Sequence, residues 1–153
     1  MGLDMYLERR HYIGATYEHR EVTGAVDIRV RGIRVPIRLE KLSTISEQVG
    51  YWRKANAVHN WFVQNIQNGN DDCGEYECCT EHLEDLKAEC QKALDGDPDT
   101  MQPVSGFFFG STDKDEYWRE DLQDTINIIN QVVEEHSSFP DEVKPYYVYR
   151  ASW

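Results

Sequence analysis

The chain has 153 residues, with 28 Asp and Glu against 16 Lys and Arg, a net charge of −12, and 12% aromatic residues. That length suits one domain that buries its apolar surface without metal or disulfide support, and the composition excludes a disordered chain. No stretch reaches the roughly 18 apolar residues of a membrane span, and residues 65–100 carry eleven acids against Lys87 and Lys92, a local charge of −9 that disfavours general DNA binding.

The first residues, "MGLDMYLERR", lack the basic flank and apolar run of a signal peptide. Tyr6 stands where an N-myristoylation motif needs Ser or Thr. A cytoplasmic location without a membrane partner is therefore expected. Residues 3–12 alternate Leu3, Met5 and Leu7 with Asp4, Tyr6 and Glu8, the period of a half-buried strand. "AVDIRVRGIRVPIRLE" (25–40) alternates again, and its parity flips at Arg31-Gly32, which marks a tight hairpin turn or a bulge that keeps Val26, Ile28 and Val30, then Ile33, Val35, Ile37 and Leu39 inward. Opposite that face stand Arg29, Arg31, Arg34 and Arg38, either a solvated edge or a surface for phosphate.

Thr44-x-x-Glu47 reads as a capping box opening a helix, whose apolar positions from Val49 to Ile66 recur at Trp52, Ala55, Val58, Phe62 and Ile66. "NGNDDCGEY" ends it, and a short strand around residues 76–79 follows. Thr80 caps a second helix with Leu83, Leu86, Cys90 and Leu94 in one stripe, and "DGDPDTMQP" is a loop. "VSGFFFGS" (104–111) reads as a short buried strand between glycines. A long helix from Asp113 to His136 carries Trp118, Leu122, Ile126, Ile129, Val132 and Val133 inward, and "PYYVYRASW" closes the chain as a strand. Without regular βαβ alternation, the expectation is a single α+β domain over residues 1–153, with about three main helices packed on a largely antiparallel sheet.

The chemistry concentrates in "GYWRKANAVHNW". Tyr51, Trp52 and Trp61 offer aromatic faces, Arg53 and Lys54 offer cations, and Asn56 and His59 offer polar edges. On a helix His59 falls on the apolar face with Asn56 at its margin, so these two are either satisfied core groups or one wall of a polar pocket. Gly106 and Gly110 permit backbone amides to face a ligand, and Ser111 precedes a helix N-terminus, where an anion is favoured. The cysteines Cys73, Cys78, Cys79 and Cys90 match no common zinc spacing, and Cys78 and Cys79 point to opposite faces of a strand, so no metal or other cofactor is expected. Cys73 lies among Asp71, Asp72 and Glu75, which raise a thiol pKa and blunt its nucleophilicity.

"MGLDMYL", "GYWRKANAVHNWFV" with "DDCGEY" just after it, and "SGFFFGST" followed by "YWREDL" together resemble a widespread group of small phage and prophage proteins. The resemblance covers most of the chain outside residues 14–40 and 94–102. It implies a non-catalytic protein in the cytoplasm of a bacterial host. Its small anionic ligand would be a cyclic di- or oligonucleotide signal of the host's anti-phage defence (CBASS-type), held as by a sponge. The side chains suit that role, since stacking needs aromatics, phosphate needs Arg or Lys, and sequestration needs no catalytic base. The absence of HxT, HD and HExxH motifs argues against a metal-dependent nuclease. Two alternatives stay open: a small enzyme using His59 as acid–base, and an acidic nucleic-acid mimic built on residues 70–99 and 113–124. Assembly into a homo-oligomer is also left open.

Overall fold

The computed structural model describes residues 2–14, 17–106 and 109–153. Strand β1 (Asp4–Tyr12) is the centre from which the sheet is built. Its register with β4 (Thr44–Arg53) sets Met5 opposite Trp52 and Tyr6 opposite Tyr51, with one irregularity at Leu7/Glu8. On its other side β6 (Tyr146–Ser152) pairs with it, and β5 (Glu75–Cys78) pairs with β6. The order is β4-β1-β6-β5, antiparallel throughout.

Side-chain alternation gives the sheet two unlike faces. Leu3, Met5, Leu7, Trp52, Tyr147, Tyr149 and Ala151 join one buried cluster with the inward stripes of three helices. These are α1 (Asn56–Asn65), α2 (Thr80–Leu94) and α3 (Glu116–Ser138). Phe62 of α1 stacks flat on Tyr149 at 3.7 Å between centroids. The opposite face carries Tyr6, Glu8, Arg10, Tyr51 and Arg150. Glu8 accepts from Arg10 and Arg150, Arg10 reaches Glu75, and the Arg150 guanidinium lies 4.2 Å over the Tyr6 ring. Burial alone would raise the Glu8 pKa, but the hydrogen bonds from Arg150, Arg10 and Ser46 hold it down at about 2. The expected α+β architecture, three helices on a largely antiparallel sheet, is the one observed.

Three local expectations are corrected. Residues 44–53 form a strand, and the helix begins only at Asn56. Trp52, Ala55, Val58 and Phe62 share a helical spacing, but Trp52 also satisfies the strand period, and pairing with β1 decides in favour of the sheet. Residues 104–106 and 109–111 carry no strand, and Phe107 and Phe108 lie outside the described residues. Helix α2 takes Cys79 as its N-cap, not Thr80. Cys79 is exposed and Cys78 buried, the opposite facing that their adjacency requires. Burial pushes the thiols of Cys78 and Cys90 up to about 12.

Residues 13–43 form an insertion between β1 and β4. Ile13 N–H donates to Ser43 O at 3.1 Å, closing its root one step beyond the Tyr12–Thr44 pair. Within it β2 (Ile28–Val30) and β3 (Ile33–Val35) make a hairpin whose two-residue turn places Arg31 and Gly32 at φ 52° and 78°. The apolar face expected to be inward is not: Ile28, Val30 and Ile33 are exposed and Val26, Val35, Ile37 and Leu39 only half-buried, because two three-residue strands reach no other sheet.

Because the root closes on its own, replacing residues 14–42 with an Asn-Gly turn should leave the fold intact. The expected cost is below about 1 kcal/mol, roughly 2–4 °C in melting temperature. Circular dichroism showing lost helicity or a non-cooperative melt would contradict the assigned independence of this arm.

Candidate functional site

The "GYWRKANAVHNW" stretch spans a strand-to-helix corner, and the corner sorts its side chains. Trp52 turns into the core, with 4% of its surface exposed, and its indole N–H donates to Thr125 Oγ1 at 2.8 Å. Asn56, the first residue of α1, is buried and has all three of its strongest hydrogen-bonding positions engaged. Its amide donates to the carbonyls of Phe109 at 3.1 Å and Ser111 at 2.6 Å, and its oxygen accepts from Val104 N–H at 3.2 Å. It therefore pins the loop that carries Gly106, Gly110 and Ser111.

His59, one turn further along, is fully buried between Tyr149 and Asp71. The Asp71 carboxylate, 2.8 Å from Nε2, can only accept, so Nε2 carries a hydrogen; in the neutral ring Nδ1 then accepts from the Tyr149 hydroxyl at 2.7 Å. Phe109 and Trp153 close edge-on around the imidazole at 5.2 and 5.6 Å. Burial, with the Asp71 charge, raises the Tyr149 pKa well above 10. Neither histidine nitrogen is left over for a substrate. Asn56 and His59 are accordingly core groups and leave the set of candidate ligand contacts, whereas Trp52, though buried, also lines a cleft between β4 and α3.

Tyr51, Arg53 and Lys54 remain outside. Tyr51 lies beside Tyr6 at 5.5 Å on the open sheet face and donates its hydroxyl to Asp4 at 2.6 Å. Lys54 adopts φ 59°, a left-handed conformation that costs a non-glycine residue about 1–3 kcal/mol. Its N–H donates to Leu3 O and its carbonyl accepts from Asn56 N–H, both at 2.8 Å, which holds it there. Two glycines give its aliphatic stem room: a Cβ on Gly2 would lie 3.2 Å from Lys54 Cε, and one on Gly110 3.3 Å from Lys54 Cβ. The Arg53 guanidinium comes within 3.9 Å of the same Gly2 position, so the two cations converge there.

The other arginines of this sheet are committed. Arg9 pairs with Glu47 and Glu135, Arg10 with Glu8 and Glu75, and Arg150 with Glu8. Among the described residues, no carboxylate lies within 4.0 Å of the Arg53 or Lys54 cationic nitrogens. Beside Arg53 a cleft of about 300 Å³ opens between β4 and α3, lined by Tyr51, Arg53, Asp121, Asp124, Asn127 and Gln131 among others. Burial, reinforced by Asp124, Asp115 and Glu120, pushes the Asp121 pKa up to about 6. Chemically, the corner offers two cations for an anion and, next to them, amides and carboxylates that can meet hydrogen-bond donors.

The remaining expected residues are placed elsewhere or serve the loop. Trp61 is half-buried against Phe62 and lines a separate groove with α2. A Cβ on Gly106 would fall 2.6 Å from the Phe109 ring, so this glycine makes room for that side chain. Ser111 does not stand at a helix N-terminus: α3 starts at Glu116, and Asp115 caps it by accepting from Trp118 N–H. Ser111 Oγ instead accepts from Asp113 N–H at 3.1 Å. Asp71, Tyr149, Thr125 and the cleft residues of α3 escape a sequence reading, because their partners lie 12 to 90 positions away. Among the described residues no group of three or more His, Cys, Asp and Glu side chains could hold a metal ion. No protein-family model, curated protein or solved structure matches the chain.

Asn56→Ala should cost about 2–3 kcal/mol, since it unpairs the buried Phe109 carbonyl together with the part-buried Val104 N–H and Ser111 carbonyl. Calorimetry should show a melting temperature lower by roughly 5–10 °C, and an unchanged melt would contradict the clamp. Asp121→Asn should act in the opposite direction. The folded-state pKa lies above the unfolded 3.8, so the charged carboxyl weakens the fold as pH rises toward about 6 and beyond. The variant should melt higher than wild type at neutral pH and lose that advantage below about pH 4. A constant difference across the whole range would disprove the shift.

Proposed function

We propose that the protein is a non-catalytic binding protein that sequesters a nucleotide-derived anion at the Arg53–Lys54 corner. The observation that carries this reading is the pair of adjacent cations without a carboxylate partner among the described residues, on a chain of net charge −12 whose neighbouring sheet arginines are ion-paired. The left-handed backbone at Lys54 adds support, because strain of this kind persists where the surroundings enforce it and gathers at ligand-holding sites.

In this reading the phosphate lies against the Arg53 guanidinium and the Lys54 ammonium, the first able to grip two oxygens at once. The base extends into the cleft along α3. There the amides of Asn127 and Gln131 accept and donate, and Asp121 and Asp124 accept from exocyclic amino groups. The His59 imidazole is enclosed and does not reach the ligand, and in this reading Asp121 and Asp124 serve as acceptors, so the ligand is held without turnover. A cyclic di- or oligonucleotide fits these demands, and the resemblance to small phage proteins adds the biological role: withdrawal of a defence signal in an infected bacterium.

A panel of cyclic and linear nucleotides should contain a ligand that raises the melting temperature. Saturation at about 100 times the dissociation constant corresponds to roughly 2.7 kcal/mol. Arg53→Ala and Lys54→Ala should each abolish most of the rise while leaving the unliganded melt near wild type, and mass spectrometry should recover the nucleotide intact. No shift with any nucleotide, or recovery of a hydrolysed product, would overturn the proposal.

A further inference from the structure

The inserted hairpin is a basic feature that neither the core nor the proposed site uses. Residues 28–38 contain Arg29, Arg31, Arg34 and Arg38 and no acid, a charge of +4 against −16 for the rest of the chain. The ribbon is two-faced. On one side Ile28, Val30 and Ile33 are 46%, 59% and 74% exposed. On the other, Arg29 stands directly opposite Arg34, with Asp27 the nearest acid at 3.7 and 3.9 Å. Like charges set across a strand pair repel, and exposed β-branched residues on a ribbon with two open edges invite pairing. Both costs disappear if the ribbon is covered by a surface that is acidic and partly apolar.

The chain itself presents such a surface. Between α1 and α2 runs a groove of about 410 Å³ whose lining includes Trp61, His82, Asp85, Ala88 and Glu89. It lies on the segment of charge −9. Trp61 supplies an indole face, Asp85 and Glu89 stand one helical turn apart at its side, and Ala88 leaves room for an approaching backbone. Glu89 already holds Lys92 at 2.8 Å, whereas no cation of the described residues lies within 4.0 Å of Asp85. An aromatic face flanked by a carboxylate suits a guanidinium, which can stack and donate at once.

We infer that the arginine hairpin of one copy docks in the α1–α2 groove of a second copy. An arginine of the ribbon lies on Trp61 and pairs with Asp85, and the aliphatic face is covered in the same contact. Exchange is reciprocal, arm to groove in both directions, so a two-fold dimer closes without further growth. Charge complementarity within a single sequence carries the choice of partner. The Arg53–Lys54 corner takes no part, so dimer formation stands or falls separately from nucleotide binding.

Sedimentation velocity on the full chain tests this through paired charge reversals. The wild type should be dimeric at low salt and dissociate at high salt. Arg29→Glu with Arg34→Glu should weaken self-association more than about tenfold, and Asp85→Lys with Glu89→Lys should do the same, both with melting temperatures near wild type. Mixing the two variants should restore a dimer, since each arm with its 29/34 face reversed then meets a basic groove and each wild-type basic arm an acidic groove. Three results would each overturn the inference: a wild type monomeric at every salt and concentration, a dimer indifferent to both reversals, or a monomer whose hairpin binds nucleic acid.

Discussion

The structure depends on two polar side chains, Asn56 and His59, that α1 carries into the core. Burying an amide or an imidazole without partners costs more than most single apolar contacts return, so the rest of the fold must come to them. For Asn56 the partners are backbone groups of Val104, Phe109 and Ser111, which ties residues 104 and 109–111 to the start of the helix. For His59 they are the hydroxyl of β6 on one side and the carboxylate of the turn after α1 on the other. Strand, turn and loop, separated by up to 90 positions in the chain, are thereby tied to one helix.

The same constraint shapes the outer surface. Since Asn56 must open the helix, the chain has only Lys54 and Ala55 in which to turn from β4 into α1. Lys54 takes the left-handed conformation that this corner demands. Its stem then lies between Gly2 and Gly110, the second of which belongs to the loop that Asn56 fixes. The cationic corner is thus a product of the core's hydrogen bonding: the loop that the inward residues hold also frames the outward cations.

The alternations of β1 and β6 and the stripes of α2 and α3 were legible because each has a long run in a single period. Trp52 defeated that reading because it fits both periods. Only the pairing of Met5 with Trp52, a contact between distant segments, assigns it to the sheet. The hairpin turn at Arg31-Gly32 was readable from its parity change, but the facing of its apolar residues was not, since alternation reports two faces and not what lies against them. At the candidate site the residue types were visible and their sorting was not. Tyr51, Arg53 and Lys54 point outward and Trp52, Asn56 and His59 inward because a strand ends and a helix begins within six residues. Asp71 and Tyr149 carried no local mark of their pairing with His59.

One short stretch thus divides into inward groups that hold the fold and outward cations that, in the function we propose, hold an anion. Nitrogen-resolved NMR during titration with a cyclic dinucleotide reads both sets at once. Movement of the Arg53 guanidinium signal and of the Lys54 and Gly110 amides is expected, with the Asn56 side-chain amide unmoved. Large shifts at Asn56, with Arg53 and Lys54 silent, would contradict this division.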